Sequence, residues 1–392
     1  MGEIRTLANP LIANRPLSPE RQPKSEAANG WPSDLRVVSA DGHWDLAEDI
    51  FYPKFPEELK EQAPRVWHDC YWHLGYPELF KKNPAIAALD ERYKVVFGSA
   101  MGPGGADIKL RAEHLSIEGV EQEIIYPQSL LGFNHSDPNI VSRVYWIYNE
   151  HIAQAVAQYP KRFFFVGVLS NWWDPDRIGP AVQQIKDLGL KTFMISQRIP
   201  AKAADGQPLV FNSPELDVLW AAVAAAGLPV SFHIGEGFAL NGRGAMSASA
   251  MVQLGVFRKP FAELVFSGVF DRHPNLQIVF AEGGIGWVPA VLQDAEMLYD
   301  AHNGLMDYRP LHRPSYYWHN NCFATFQNDL LGLRQIDYIG VDRIMWANDY
   351  PHLEGAFGYS KESMSSVIEA LGLENARKVL GGNARKLYRL DG

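Results

Sequence analysis

Eight short apolar runs, separated by helix-like stretches, set the strongest limit on how this chain folds. They lie at 37–40, 123–126, 163–169, 192–195, 229–233, 277–281, 321–325 and 344–347. Their brevity and near-continuous apolarity read as strands buried on both faces, the mark of a parallel sheet. Amphipathic patterns fill the gaps, as at 139–158, 213–226 and 288–301. Ser213-Pro214-Glu215 has the N-cap and first-turn proline of a helix start, and Gly227 suits its end. Eight strands alternating with helices predict an α/β fold, the closed (β/α)8 TIM barrel. An open doubly wound sheet is the competitor, but no G-x-G-x-x-G follows the first strand.

Two segments do not fit the alternation. Residues 1–33 are proline-rich and lack a hydrophobic period, so they predict an extended N-terminal arm outside the 34–392 barrel domain. Residues 44–118 are too long for one βα connection and predict an inserted cap over the barrel mouth. Within it, 98–105 (GSAMGPGG) lacks the G-K-[ST] ending of a phosphate-binding loop and reads as a lid or turn.

Charge and cysteine usage remove several functions. With 45 acidic against 36 basic residues, a net charge of −9 and no basic cluster, nucleic acid is not an expected partner. Cys70 and Cys322 form no C-x-x-C pair, which excludes a disulfide framework and a thiolate metal site. No run reaches the roughly 18 apolar residues of a membrane span. Without a signal-like apolar segment at the start, the expected location is cytoplasmic. The 11 tryptophans serve large aromatic packing and also suit an aromatic-lined substrate pocket. The arm and the aromatic-rich insert suggest a homo- or hetero-oligomer, a dimer first.

The informative residues stand where the strands end. Strand 1 runs into Asp41-Gly42-His43, and strand alternation sends Asp41 and His43 to the same side. Strand 5 ends in His233, strand 6 in Glu282 and strand 8 in Asp349. In a barrel these side chains converge at the C-terminal face, where catalytic groups gather. Two imidazoles and three carboxylates form an N/O ligand set for a divalent metal. Left alone, the carboxylates would repel and raise one another's pKa values, so a cation is the simplest remedy. His352, three residues past Asp349, is placed to orient a ligand, and His319, before strand 7, to touch substrate. Arg111 and Arg198 are candidates for pairing a substrate carboxylate. His273, before strand 6, falls at the far end of the barrel. Ser-His-Asp catalysis is unsupported, because G-x-S-x-G is missing and Ser231 lies mid-strand.

The stretches SADGHWDLAED, LWAAVAAAGLPVSFHIGEG, RHPNLQIVFAEGGIGWVPAVL, IMWANDYPHLEG and GGNARKLYRL resemble the amidohydrolase superfamily. Within it they are similar to the branch of aminocarboxymuconate-semialdehyde and hydroxybenzoate decarboxylases, from about Arg36 to the C-terminus. The resemblance implies metal ligation by Asp41, His43, His233 and Asp349, with Asp349 also moving protons. It departs at two positions. Asp41 stands where the decarboxylase has the first histidine of His-x-His, and Glu282 stands where it has a histidine on strand 6.

Both changes make the site more anionic. Three carboxylates overcompensate one divalent ion, so a dinuclear centre bridged by Asp41 or Glu282 is an expectation beside a mononuclear one. The ion is Zn, Mn or Fe, with carboxylates favouring Mn or Fe. The leading expectation is a metal-dependent hydrolase or decarboxylase acting on a small organic acid, amide or lactone, with Asp349, Glu282 and His233 as catalytic residues. The alternative is a dinuclear iron or iron–manganese oxygenase on the same scaffold. A non-catalytic subunit of a hetero-oligomer is a third reading, although it would predict degraded ligands.

Overall fold

The computed structural model describes residues 31–32, 34–66, 74–75, 104–128, 130, 133, 135–199, 201–237, 241–352 and 354–391. Eight parallel strands form the barrel: β1 (Val38–Ser39 and His43–Trp44), β2 (Gln122–Pro127), β3 (Phe163–Phe165 and Gly167–Val168), β4 (Phe193–Met194), β5 (Val230–His233), β6 (Ile278–Ala281), β7 (Cys322–Phe326) and β8 (Ile344–Trp346). Each pairs with the next in order, and β3 changes partner midway, from β2 to β4. The ring closes where Ala40 N–H donates to Trp346 O (2.9 Å) and Gly42 bridges Tyr350 in parallel. The expected barrel is therefore the fold. The helices at 139–158 and 288–301 appear as Pro138–Gln158 and Val288–Ala301. The stretch 213–226 opens with a 3-10 turn before the helix Asp217–Ala226.

Inward and outward residues alternate along β5. Ser231 accepts from the Tyr126 hydroxyl (2.9 Å) inside the barrel, whereas Phe232 stacks on Phe280 of β6. Phe280 in turn lies nearly parallel to Trp318, on the helix before β7, in the layer between sheet and helices. That helix, Pro314–Asn321, leads directly into β7.

Strand β1 carries a local irregularity that simple alternation misses. Ser39 pairs with Glu123 and His43 with Tyr126, so Ala40, Asp41 and Gly42 stand opposite only Ile124 and Ile125. One extra residue is absorbed there, and such a bulge re-aims the side chains around it.

Between β1 and β2 lie two 3-10 turns (Tyr52–Lys54 and Glu57–Gln62), a short antiparallel pair (Arg65–Val66 with Leu74–Gly75) and α1 (Ile108–Ile117). Asp107 caps α1 by accepting from Lys109 and Leu110 N–H. Residues 1–30, Cys70 and most of the 98–105 stretch lie outside the described residues; Gly105 O accepts from Asp45 N–H (2.9 Å).

Arg111, on α1, corrects an expectation. It is fully buried and does not face a ligand: Nε and Nη2 donate to Glu123 of β2 (2.7 and 2.8 Å), Nη1 to His43 O (2.6 Å), and Nη2 also to Tyr350 O (3.1 Å). Its charge and donors brace β1, β2 and the β8 loop. Gly42 is the residue that leaves room for this brace, since a Cβ there would overlap both Glu123 Oε1 and Arg111 Nη2. Breaking one partner of a buried pair costs about 3–5 kcal/mol, while replacing both by apolar groups is often neutral. Arg111→Met should lose stability on that scale in urea denaturation, and the double change R111M/E123L should recover most of the loss.

Candidate metal centre

The strand ends converge as the barrel requires. Asp41 and His43 leave β1 at the bulge, His233 ends β5, Glu282 follows β6, and Asp349 follows β8. Glu282 and Asp349 both have left-handed backbones, φ +67 and +53. Non-glycine residues in such a state cost on the order of 1–3 kcal/mol each, a strain that gathers at functional sites. It is held by Glu282 N–H donating to Thr325 Oγ1 of β7 (2.7 Å) and by Asp349 N–H donating to Asp41 O (3.2 Å).

The side chains meet in a dry space, all six of those below being buried. His43 Nε2 lies 3.2 Å from Asp349 Oδ1, 3.7 Å from Asp41 Oδ1 and 3.7 Å from Glu282 Oε2. His233 Nε2 is 3.4 Å from Asp41 Oδ1 and 3.3 Å from Glu282 Oε2. The sixth member is His352, whose Nδ1 is 3.3 Å from Asp349 Oδ1 and 3.4 Å from Glu282 Oε1, with its ring stacked on His43 at 3.9 Å. Sequence position made His352 a neighbour of the candidate ligands; the structure puts it in the same cluster. The donors fall into two overlapping groups, Asp41/His43/His233 and His43/Glu282/Asp349/His352, with His43 common to both.

Hydrogen bonds around the cluster fix which nitrogens face inward. His233 Nδ1 is 2.8 Å from Ile234 O, so one proton belongs there and Nε2 is the nitrogen that faces the carboxylates, able to offer a lone pair to a cation once it gives up its own proton. His352 Nε2 is held likewise by Gln128 Oε1 (2.7 Å), leaving Nδ1 inward. This is how imidazole ligands are ordinarily oriented. Among the described residues, both nitrogens of His43 and both oxygens of Asp349 make no hydrogen bond, although all are buried. Oriented lone pairs and orphaned buried donors of N/O type fit a divalent cation.

The charges show the same need. Burial pushes the Asp41 carboxyl up despite His233 and His43 beside it. Burial also acts on Glu282, but His352, His43 and His233 outweigh it and hold that carboxyl well below its usual range. Burial pulls His233 down, yet Asp41 and Glu282 prevail and raise it to about 9.

One other expected contact takes a different place. His319 is not brought to the cluster: it lies in the last turn of the helix Pro314–Asn321, its ring against Gly340, at the N-terminal end of the barrel. A residue preceding a strand cannot reach the face that residues following strands define. His273 also sits at that end, 3.1 Å from Asp217 Oδ1. Arg198 does line the C-terminal face, in a cavity beside the cluster. Sequence reasoning missed Gln128 and Thr325; the strand-end rule applied to β2 and β7 points to both.

The amidohydrolase family model matches residues 127–390, which takes in His233, Glu282, Asp349 and His352 but begins beyond Asp41 and His43. The chain is 25% identical over 292 residues to 2-amino-3-carboxymuconate-6-semialdehyde decarboxylase of Dictyostelium discoideum, covering 73% of this chain and 77% of that one. It is 26% identical over 266 residues to gamma-resorcylate decarboxylase of Rhodococcus jostii (strain RHA1), covering 62% and 75%. Among solved structures, 5-carboxyvanillate decarboxylase of Novosphingobium aromaticivorans, complexed with manganese and a nitrobenzoic acid, superposes with a TM-score of 0.62 at 16% identity, covering 95% and 99%. The chain belongs to the amidohydrolase family, and it is a metal-dependent enzyme of that superfamily's hydrolase and carboxy-lyase class. Among the described residues no helix is long and apolar enough to cross a membrane.

A pH test follows from His233. Its value near 9 exceeds the unfolded value of about 6.5, so its stabilisation of the metal-free fold is full below about pH 6.5 and is lost as pH rises through about 9. Chelator-treated protein should melt lower at about pH 10 than at about pH 7, and His233→Asn should flatten that difference in thermal denaturation.

Proposed function

We propose that the chain is a carboxy-lyase that removes CO2 from a hydroxylated aromatic acid without an oxidant. The observation that carries this reading is the buried cluster with its unpartnered Asp349 carboxylate, set beside an aromatic-lined cavity on the same barrel face. The decarboxylase relatives favour lyase over hydrolase chemistry, and manganese in a structural neighbour favours a hard divalent ion. Asp41, His43, His233, Glu282 and Asp349 are the proposed ligands, joined by His352. When bound, the cation supplies an electrophilic centre for the substrate's carboxylate and adjacent hydroxyl oxygens.

Asp349 is the proposed proton carrier. Its protonated form delivers the proton to the ring carbon bearing the carboxylate; the carbon–carboxylate bond then breaks, and its electron pair restores the aromatic ring as CO2 leaves. His43 and His352, flanking Asp349, hold it in place, while Glu282 and His233 fix the opposite side of the cluster. Arg111, through His43 O, positions β1 for this arrangement. The insert at 44–118 is proposed as a cap, since its described part is tied to the end of β1 through Gly105 and Arg111.

Asp349→Asn should lower kcat by roughly 10²–10⁴. The assay is CO2 release from manganese-loaded enzyme with 2,6-dihydroxybenzoate and related ortho-hydroxy acids. If no hydroxyaromatic acid yields CO2, the lyase reading fails.

One observation favours a second reading. Six N/O side chains exceed the three protein ligands plus water of an ordinary catalytic zinc, and they fall into two groups sharing His43. Two cations would suit that set, and with it an iron or iron–manganese oxygenase. Metal analysis of protein purified without added metal separates the readings: near one ion per chain supports the first, and near two with iron-dependent O2 uptake supports the second. Glu282→Gln should lower the metal content in either case.

A further inference from the structure

Beside the metal cluster, the C-terminal face holds a cavity of about 180 Å³ that none of the six cluster residues lines. Its walls come from residues following β2 to β5, and it shares the loop after β5 with the cluster, His233 lying three residues before Glu236. That loop is pinned twice. Gln197 Nε2 donates to His233 O (2.8 Å), and Gln253 accepts from Gly235 N–H (3.2 Å) while donating to Glu236 O (2.9 Å).

The cavity walls are largely aromatic and apolar: Trp172, Trp173, Tyr145 and Met194 among them. An engineered apolar cavity of about 150 Å³ is known to hold one benzene, so this space takes one ring. One wall breaks the pattern. Glu236, only 7% exposed, places its carboxylate there, with Oε2 accepting from Ser196 Oγ (2.6 Å) and Oε1 from Gln197 N–H (3.2 Å). Among the described residues no cation lies within ion-pair distance of it. The nearby charge and backbone N–H of Arg198 offset the cost of burying that carboxylate only in part, and its oxygens have capacity for a further donor. Arg198, exposed at the rim and packed over Gly237, adds a positive field that disfavours a cationic guest.

We infer that this cavity is a ring-binding subsite and that Glu236 selects an aryl group carrying a neutral O–H donor, a phenolic hydroxyl. The inference deepens the proposed action on hydroxyaromatic acids by assigning recognition of one hydroxyl to a residue outside the metal cluster. Phenols without a carboxylate bind here in the absence of any metal.

The test is calorimetric titration of metal-free enzyme with 4-methylphenol, toluene and benzylamine, which needs no turnover. A hydrogen bond to a charged group corresponds to a preference of roughly ten- to hundred-fold for 4-methylphenol over toluene. Glu236→Leu should bring that ratio to about one while toluene affinity persists. Glu236→Gln, nearly isosteric, guards against misfolding and should cut the ratio to a few-fold. Ser136→Trp, which fills the exposed side of the cavity, should abolish binding of all three. Equal affinities for 4-methylphenol and toluene in the parent enzyme would overturn the inference. So would a preference that survives in both Glu236 variants, or tighter binding of benzylamine. Failure of CO2 release with intact phenol selectivity would instead count against the lyase reading alone.

Discussion

Three carboxylates, Asp41, Glu282 and Asp349, share a space buried from bulk solvent, and the rest of the structure answers to that arrangement. At short range in a poorly screened interior, like charges repel by several kcal/mol or more. Three imidazoles interleave with them, so each carboxylate has a ring nitrogen within 3.4 Å. Protons can serve as the positive charge, as the elevated His233 indicates. A divalent cation does the same with more charge and satisfies the orphaned atoms of His43 and Asp349 as well.

Holding such a cluster open requires rigid supports behind it. The Arg111–Glu123 pair ties α1, β1, β2 and the β8 loop at one point, directly beneath Gly42. Thr325 extends a second support from β7, accepting from Glu282 N–H and lying 3.3 Å from Asp41 Oδ2. Gln128 supports His352 from β2. The cluster side chains thus come from β1, β5, β6 and β8, while the residues that orient them come largely from β2 and β7. This division lets the geometry of the cluster be fixed by strands that contribute no member to it.

Much of this was legible in the sequence, because it depends on periodicity. The eight apolar runs match the eight strands to within a residue or two at most ends, and a polar residue at the end of a barrel strand has only one place to go. What could not be read depends on contacts between distant segments. Arg111 looks the same in sequence whether it meets a substrate or Glu123, and only the packing of α1 against β2 decides. His352 follows a proline in a loop, where no period predicts direction. His319 was misplaced because distance along the chain to β7 says nothing until one asks which end of the strand it adjoins. Glu236 carried no local signal at all, its meaning arising from aromatic residues contributed by two other connections.

The single extra residue in β1 separates two demands that a regular strand would lock together. Below it, Val38 and Ser39 keep the register with β2 that closes the barrel; above it, His43 and Trp44 resume pairing one step out of phase. The lower half of the strand is thus committed to architecture and the upper half to chemistry, with Ala40–Gly42 as the joint between them. Such a joint works like a vernier. The tip of the strand can be re-indexed against its neighbours while the foundation stays put, which gives a lineage room to exchange one ligand for another without rebuilding the barrel beneath.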